Sequence, residues 1–162
     1  MAAQAQSWYS YGPMDLQPLN NEGPYPLYFW YTWNPYPILF HSGSYVNSGV
    51  AAYDYIIPVQ IPQGKIIKNM RVVFIDNDGT SGANLTVTFR RINKYTGQED
   101  DIYEINTGSY PALEIIQAQS DTSATKPSYI GIVNNSCSYY IMVHFGAANT
   151  NLKFFGVTLG TN

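Results

Sequence analysis

A chain of 162 residues with 45% hydrophobic residues is long enough for one domain with a substantial buried core. Only 12% of the residues are charged while 15% are aromatic, which excludes an intrinsically disordered chain. The formal net charge is −3, and the basic residues form no run longer than the pair Arg90–Arg91, so the composition argues against nucleic-acid binding.

The first 50 residues differ from the rest of the chain in composition. They contain six of the ten prolines and all three tryptophans, but no lysine or arginine. Proline lacks an N–H donor and has a fixed backbone angle, so this density opposes both helices and central strands. The pattern predicts an extended N-terminal arm over residues 1–50 that docks on a protein surface, with a short edge strand near Leu27–Trp33.

The centre of this arm is the segment Tyr25–Tyr36, in which seven of twelve residues are aromatic and none is charged. Soluble proteins rarely leave such a surface uncovered. In a strand both faces of the segment would be aromatic, which indicates cover on both sides, as in a subunit interface. The alternatives are a one-sided platform for sugar rings and an arm that covers its own domain. The candidate assembly or ligand-binding residues are Trp8, Tyr25, Tyr28, Phe29, Trp30, Tyr31, Trp33 and Tyr36.

Short strand patterns replace the proline-rich pattern from residue 51 onward. The clearest is Leu85–Ile92, where apolar residues alternate with polar ones. Seven further segments are bounded by turn residues: 54–61, 66–76, 101–105, 113–119, 129–133, 138–145 and 152–159. No segment has a helical period. Residues 51–162 are therefore predicted to form an all-β domain, a jelly-roll-like, two-sheet antiparallel β-sandwich of about eight strands.

Five stretches between residues 54 and 160 resemble β-sandwich modules of secreted bacterial proteins. They are Ile61–Ile67, Val73–Asp78, Leu85–Arg91, Tyr139–Val143 and Leu152–Val157. The shared features are mainly core patterning, and the modules have no assigned function. The resemblance therefore implies a β-sandwich fold without implying a reaction, and it does not extend to the aromatic arm.

The run Asp76-Asn77-Asp78-Gly79 offers three oxygen-bearing side chains and a turn glycine. Ca²⁺ binds oxygen ligands of this kind in flexible loops, and the run is similar to the beginning of an EF-hand loop. The glutamate expected at the twelfth position of such a loop is replaced by Val87. An Asx turn after a strand is the alternative. Asp76 and Asp78 are thus a candidate Ca²⁺ site, and the sequence predicts no other cofactor.

Few residues are of the types that support catalysis. The two histidines, His41 and His144, are too few for a zinc site, and no nucleophile elbow or phosphate-binding loop is present. A glycosidase needs two carboxylates across a cleft, whereas adjacent acids usually form a solvated face. The one acidic cluster consists of Glu99, Asp100, Asp101 and Glu104. The sequence therefore predicts a protein that is not an enzyme.

The remaining signals concern location. The single cysteine, Cys137, excludes an internal disulfide framework and is expected to be a small buried residue. No apolar stretch reaches about 18 residues, so no membrane span is predicted. The first residues lack the basic and apolar regions of a signal peptide. A surface poor in charge but rich in tyrosine suits an extracellular, cell-surface or virion protein that packs against other chains.

The leading prediction is a non-catalytic structural protein. It would self-assemble as a homo-oligomer through its aromatic arm, into an extracellular filament, a surface layer or part of a virion. The alternative is a carbohydrate-binding module that uses the same tryptophan and tyrosine rings and has a polysaccharide as its partner. Neither hypothesis involves nucleic acid.

Overall fold

The computed structural model describes residues 7–18, 27–32, 41–46, 53–110, 113–122, 133–147 and 151–162. These residues form two short 3-10 helices, Pro13–Asp15 and Thr107–Ser109, and none of them belongs to a helix long and apolar enough to cross a membrane. They also form eleven strands: β1 Ser7–Tyr11, β2 Gln17–Pro18, β3 Leu27–Thr32, β4 His41–Val46, β5 Tyr53–Val59, β6 Ile67–Asp76, β7 Leu85–Asn93, β8 Glu99–Asn106, β9 Leu113–Asp121, β10 Cys137–Phe145 and β11 Leu152–Thr161.

The strands form two antiparallel sheets. One sheet has the order β3-β4-β11-β6-β9, and β1 also pairs with β11, which makes six strands. The other sheet has five strands in the order β2-β5-β10-β7-β8. The predicted all-β class and the two-sheet antiparallel sandwich are therefore confirmed.

The core lies between the two sheets and follows the period-two patterning of the strands. In β7, Leu85, Val87 and Phe89 are fully buried, as their alternation with polar residues predicts. In β10, every second residue from Cys137 to Phe145 is buried. Each such apolar side chain contributes about 1.5–3 kcal/mol when it is removed from water, so the two inward faces supply most of the stability.

Four strands lie within the first 50 residues, where the sequence predicts only one. That one, near Leu27–Trp33, corresponds to β3, which lies at the end of the strand order of its sheet. Strand β4 lies between β3 and β11, in a stretch without proline, so the argument against central strands does not apply there. Before β10, Val133 lies outside any strand, and the rest of the predicted strand 129–133 is outside the described residues.

Residues 7–18 connect the two sheets within one chain. Strand β1 pairs with β11 in the six-stranded sheet, and β2 pairs with β5 in the five-stranded sheet. The turn between them contains Pro13–Asp15, where the Gly12 N–H donates to Asp15 Oδ2 at 2.7 Å. This part of the predicted arm is therefore docked on its own sandwich. The boundary of the arm at residue 50 stays a prediction, because residues 47–52 are outside the described residues.

Candidate functional site

Among the aromatic side chains that the structure describes on the strands, the most exposed is that of Trp8, the second residue of β1. Trp8 is 53% exposed, although every residue of β1 pairs with a residue of β11. The side chains of β1 alternate, so Trp8 and Ser10 lie on the outer face of the six-stranded sheet and Tyr9 and Tyr11 lie on the inner side. Trp8 thus presents half of its surface to solvent from a regular strand and not from a loop.

A glycine makes room for this ring. Gly160 is directly opposite Trp8 in the register, and a Cβ at position 160 would be 2.9 Å from Trp8 Cζ3. The same Cβ would be 2.4 Å from Oδ1 of Asn69, the residue of β6 that pairs with Gly160 on its other side. The indole and the Asn69 amide therefore occupy the space above Gly160, where any side chain would displace them.

Polar side chains form the next row of the same face. Ser10 is opposite Thr158, and their hydroxyl oxygens are 3.3 Å apart. Thr158 pairs in turn with Arg71 of β6, and Arg71 is exposed. We call the set Trp8, Ser10, Asn69, Arg71 and Thr158 the Trp8 face. It combines one apolar ring with hydroxyl, amide and guanidinium groups on a rigid sheet.

Tyr11 fixes β1 from the inner side. The Tyr11 ring packs against the core, and burial raises the pKa of its phenol, opposed by a hydrogen bond from the Gln60 backbone. The contact joins β1 to the segment that follows β5 in the other sheet. Strand β1 is therefore held by β11 along its length and by Tyr11 beneath it, which keeps Trp8 in a defined position.

Substituting Gly160 by alanine tests this packing. We expect Gly160→Ala to lower the free energy of unfolding by about 1–3 kcal/mol, because the new methyl group overlaps the Asn69 amide and the indole ring. Urea denaturation measures the effect. Gly79→Ala is the matched control, since a Cβ at Gly79 has no neighbour within 4 Å. Equal stability of the two variants would show that the ring does not rest on Gly160.

Of the predicted assembly or ligand-binding residues, Trp8 is the one whose side chain the structure describes. Tyr28, Phe29, Trp30 and Tyr31 belong to strand β3, whose side chains are outside the described part of the chain. Tyr25, Trp33 and Tyr36 lie outside the described residues altogether. The roles of these seven aromatics stay predictions.

The carboxylates of the candidate Ca²⁺ site have protein partners. Asp76 is only 3% exposed, and its Oδ2 accepts a hydrogen bond from the Thr107 hydroxyl. Its Oδ1 accepts from the Asp78 N–H at 3.0 Å, and Asp78 Oδ1 accepts from the Thr80 N–H at 2.9 Å. These are the bonds of consecutive Asx turns. Asp78 and Asp76 both line a hollow of about 270 Å³, and Ca²⁺ binding there stays a prediction.

The outer face of the five-stranded sheet is ionic. His144 Nδ1 lies 2.7 Å from Oδ1 of Asp54, its neighbour on strand β5. The acidic cluster is largely neutralised by arginines of β7: Asp101 binds Arg90, and Asp100 binds Arg91 at 3.0 Å. These carboxylates are held by cations across a strand pair and do not face one another across a cleft.

A cleft of about 730 Å³ opens at the side of the sandwich, between the end of β5 and the start of β10. Its lining includes Tyr9, Cys137 and Tyr139, and Cys137 is buried and unpaired, as predicted for a structural cysteine. The Tyr139 hydroxyl accepts from the Asn134 N–H at 3.0 Å, and Lys94 Nζ donates to the Asn135 carbonyl at 3.0 Å. The Tyr139 hydroxyl and the Lys94 ammonium therefore already have protein partners in the cleft.

No protein-family model and no curated protein sequence matches the chain. Among solved structures, a family 30 carbohydrate-binding module is similar over 95% of this chain and 91% of its own, with 15% identity and a TM-score of 0.47. TmCBM61 in complex with β-1,4-galactotriose is similar over 94% of this chain and 86% of its own, with 10% identity and a TM-score of 0.43.

The CBM22-1 and GH10 modules of Clostridium thermocellum xylanase 10B, complexed with xylohexaose, give 14% identity and a TM-score of 0.46. This chain spans 26% of the length of that structure, while 96% of the chain is covered. The two-sheet fold agrees with the expected resemblance to β-sandwich modules. The expectation that such modules have no assigned function is wrong, because two of these neighbours are complexes with named sugars, β-1,4-galactotriose and xylohexaose.

Proposed function

We propose that this protein is a non-catalytic carbohydrate-binding module that holds a polysaccharide on the Trp8 face. The observation that carries the proposal is the 53% exposure of Trp8 on a fully paired strand, above a glycine. Core packing alone does not require a half-exposed tryptophan on the outer face of a sheet. A ligand with a flat apolar surface would cover the ring.

Sugars match this combination of groups. The C–H groups of a pyranose ring form a flat apolar face that packs on an aromatic ring, while the hydroxyl groups around it need hydrogen-bond partners. Ser10, Thr158 and Arg71 supply a hydroxyl pair and a guanidinium one row from the indole. The sheet fixes the backbone of these residues, and the Ser10 and Thr158 hydroxyls contact each other before the ligand binds, so less conformational entropy is lost there on binding.

The energy available from one ring fits a module that binds a repetitive polymer. Covering the exposed half of an indole, roughly 100 Å², contributes about 2–3 kcal/mol. One such contact gives weak binding to a single sugar. A polymer offers many equivalent sites, and attachment of several modules to one chain raises the overall affinity without new contacts.

The self-assembling structural protein predicted from the aromatic arm is not the function that the described residues favour. Ser7–Tyr11 pairs with β11 of the same chain, so the first described strand of the arm needs no neighbouring subunit. Homo-oligomerisation stays a prediction, as does a place in a virion. The proposal retains an extracellular location, because polysaccharides are met outside the cell or on its surface.

Affinity gel electrophoresis tests the proposal. The full chain is run in native gels that contain soluble polysaccharides: galactan, xylan, mixed-linkage glucan, polygalacturonate and alginate. We expect at least one polymer to retard the protein relative to a non-binding marker of similar charge. Migration unaffected by every neutral and acidic polymer, at concentrations that retard a known binding module, would contradict the proposal.

A further inference from the structure

We infer that the ligand of the Trp8 face is an acidic polysaccharide, whose carboxylate is bound by Arg71. The inference rests on the proposed function and adds the class of ligand. Its basis is the distribution of charge over the two outer faces of the sandwich, combined with the position of Arg71 relative to Trp8.

The Trp8 face carries a positive charge, that of the exposed Arg71, although the protein is acidic. The chain has a net charge of −3, yet β6 carries two exposed cations: Arg71, which pairs with Thr158, and Lys68, which precedes Asn69 in the sequence. Lys68 is the extra residue of a bulge, because Asn69 pairs with Gly160 while Ile67 pairs with Thr161. The structure gives neither cation an ion-pair partner among the residues it describes.

None of the described strand pairings places an acidic residue beside a residue of the Trp8 face. On β9, Asp121 pairs with the inward-facing Met70, and its carboxylate adds to the effect of burial in raising the pKa of the Tyr103 phenol in the opposite sheet. Asp121 is therefore turned to the inner side of β9. Five other acids belong to strands of the five-stranded sheet: Asp54, Glu99, Asp100, Asp101 and Glu104.

The three arginines of the chain differ in their partners. Arg90 and Arg91 are bound to carboxylates of β8, so their guanidinium groups are already occupied. Arg71 is exposed, and its neighbours on the two adjacent strands are Ser120 of β9 and Thr158 of β11. Both neighbours are uncharged. A guanidinium in this position can bind a carboxylate through two parallel N–H···O bonds, which a neutral sugar does not offer.

The spacing suits one extended chain. Trp8 and Arg71 are two strands and two residues apart, roughly 10 Å across the strands and roughly 7 Å along them. This separation exceeds the reach of one sugar ring. The indole and the guanidinium would therefore contact different units of the same polymer, with Ser10 and Thr158 between them.

Matched ligands and variants test the inference. Binding isotherms of the full chain are measured for polygalacturonate, alginate and hyaluronan, each beside its methyl-esterified form, and for dextran sulfate. We expect at least one carboxylate polymer to bind about tenfold more tightly than its ester, and Arg71→Gln to remove that preference. Lys94→Gln is the control, because it removes one positive charge from the turn after β7.

The outcomes separate the inference from the proposed function. Equal binding of a polymer and its ester, still weakened by Trp8→Ala, would overturn the acidic ligand and keep the carbohydrate-binding module. Binding of dextran sulfate alone, weakened equally by Arg71→Gln and Lys94→Gln, would show non-specific attraction and overturn the inference. No binding of any polymer by the unmodified protein would overturn both.

Discussion

Replacing Trp8 with alanine is expected to weaken polysaccharide binding roughly thirtyfold and to leave the sandwich folded. The estimate corresponds to about 2 kcal/mol for the lost cover of the exposed half of the indole. The fold should survive because Trp8 is 53% exposed and outside the core cluster. Isothermal titration calorimetry with the tightest polymer from the gel assay measures the change, and circular dichroism verifies the fold.

Tyr95→Ala is the matched control for this substitution. Tyr95 is 86% exposed in the turn between β7 and β8, so it is an aromatic ring away from the Trp8 face. We expect its removal to change affinity less than twofold. Equal losses in the two variants would contradict a site centred on Trp8. A fall in the mass measured by light scattering in Trp8→Ala alone would instead favour the assembly hypothesis.

Replacing Asp76 with alanine is expected to lower the free energy of unfolding by about 3 kcal/mol. Asp76 is buried at the end of β6, and its carboxylate accepts from the Thr107 hydroxyl and the Asp78 N–H. The Thr107 hydroxyl oxygen accepts in turn from the Leu85 N–H at 2.9 Å, at the start of β7. The substitution therefore breaks a buried network that joins the two sheets and leaves its donors without a charged acceptor.

Urea denaturation in calcium and in chelator distinguishes this network from a metal site. The hydrogen-bond account predicts the same loss for Asp76→Ala in both buffers and a loss below about 1 kcal/mol for Asp78→Ala, whose Oδ1 accepts from the Thr80 N–H in a partly open loop. Stabilisation of the unmodified protein by calcium, abolished in both variants, would instead establish the Ca²⁺ site.

The sequence predicts the sandwich because its strongest signals are local. The alternation of Leu85, Val87 and Phe89 and the Lys94–Gly97 turn are visible within a few residues, and Gly97 has the positive φ of 71° that this turn needs. Strand β4 was missed because His41–Val46 lacks a strong alternating pattern and follows a proline-rich stretch. Its place in the sheet depends on pairing with distant strands.

The candidate site is harder to predict for the same reason. Trp8 can be singled out from composition, but its neighbours Asn69, Arg71, Thr158 and Gly160 come from strands 61 to 152 residues away in the sequence. Which of them meet depends on the register of three strands, and no short pattern determines that register. The hydrogen bond between Asp76 and Thr107 is equally hard to predict. The sequence indicates the Asx turn at Asp76, but it does not indicate that Thr107 is the buried partner of its carboxylate.

Mapping a bound oligosaccharide onto the chain by amide chemical shifts locates the binding site. The account predicts that the shifted amides cluster on the outer face of the six-stranded sheet, at Ser10, Asn69, Arg71 and Thr158, together with the Trp8 indole. The amides of Thr86, Tyr140 and His144, on the opposite outer face, should stay unchanged. Shifts confined to the five-stranded sheet, or to the cleft at Tyr139, would contradict the assignment of the Trp8 face as the site.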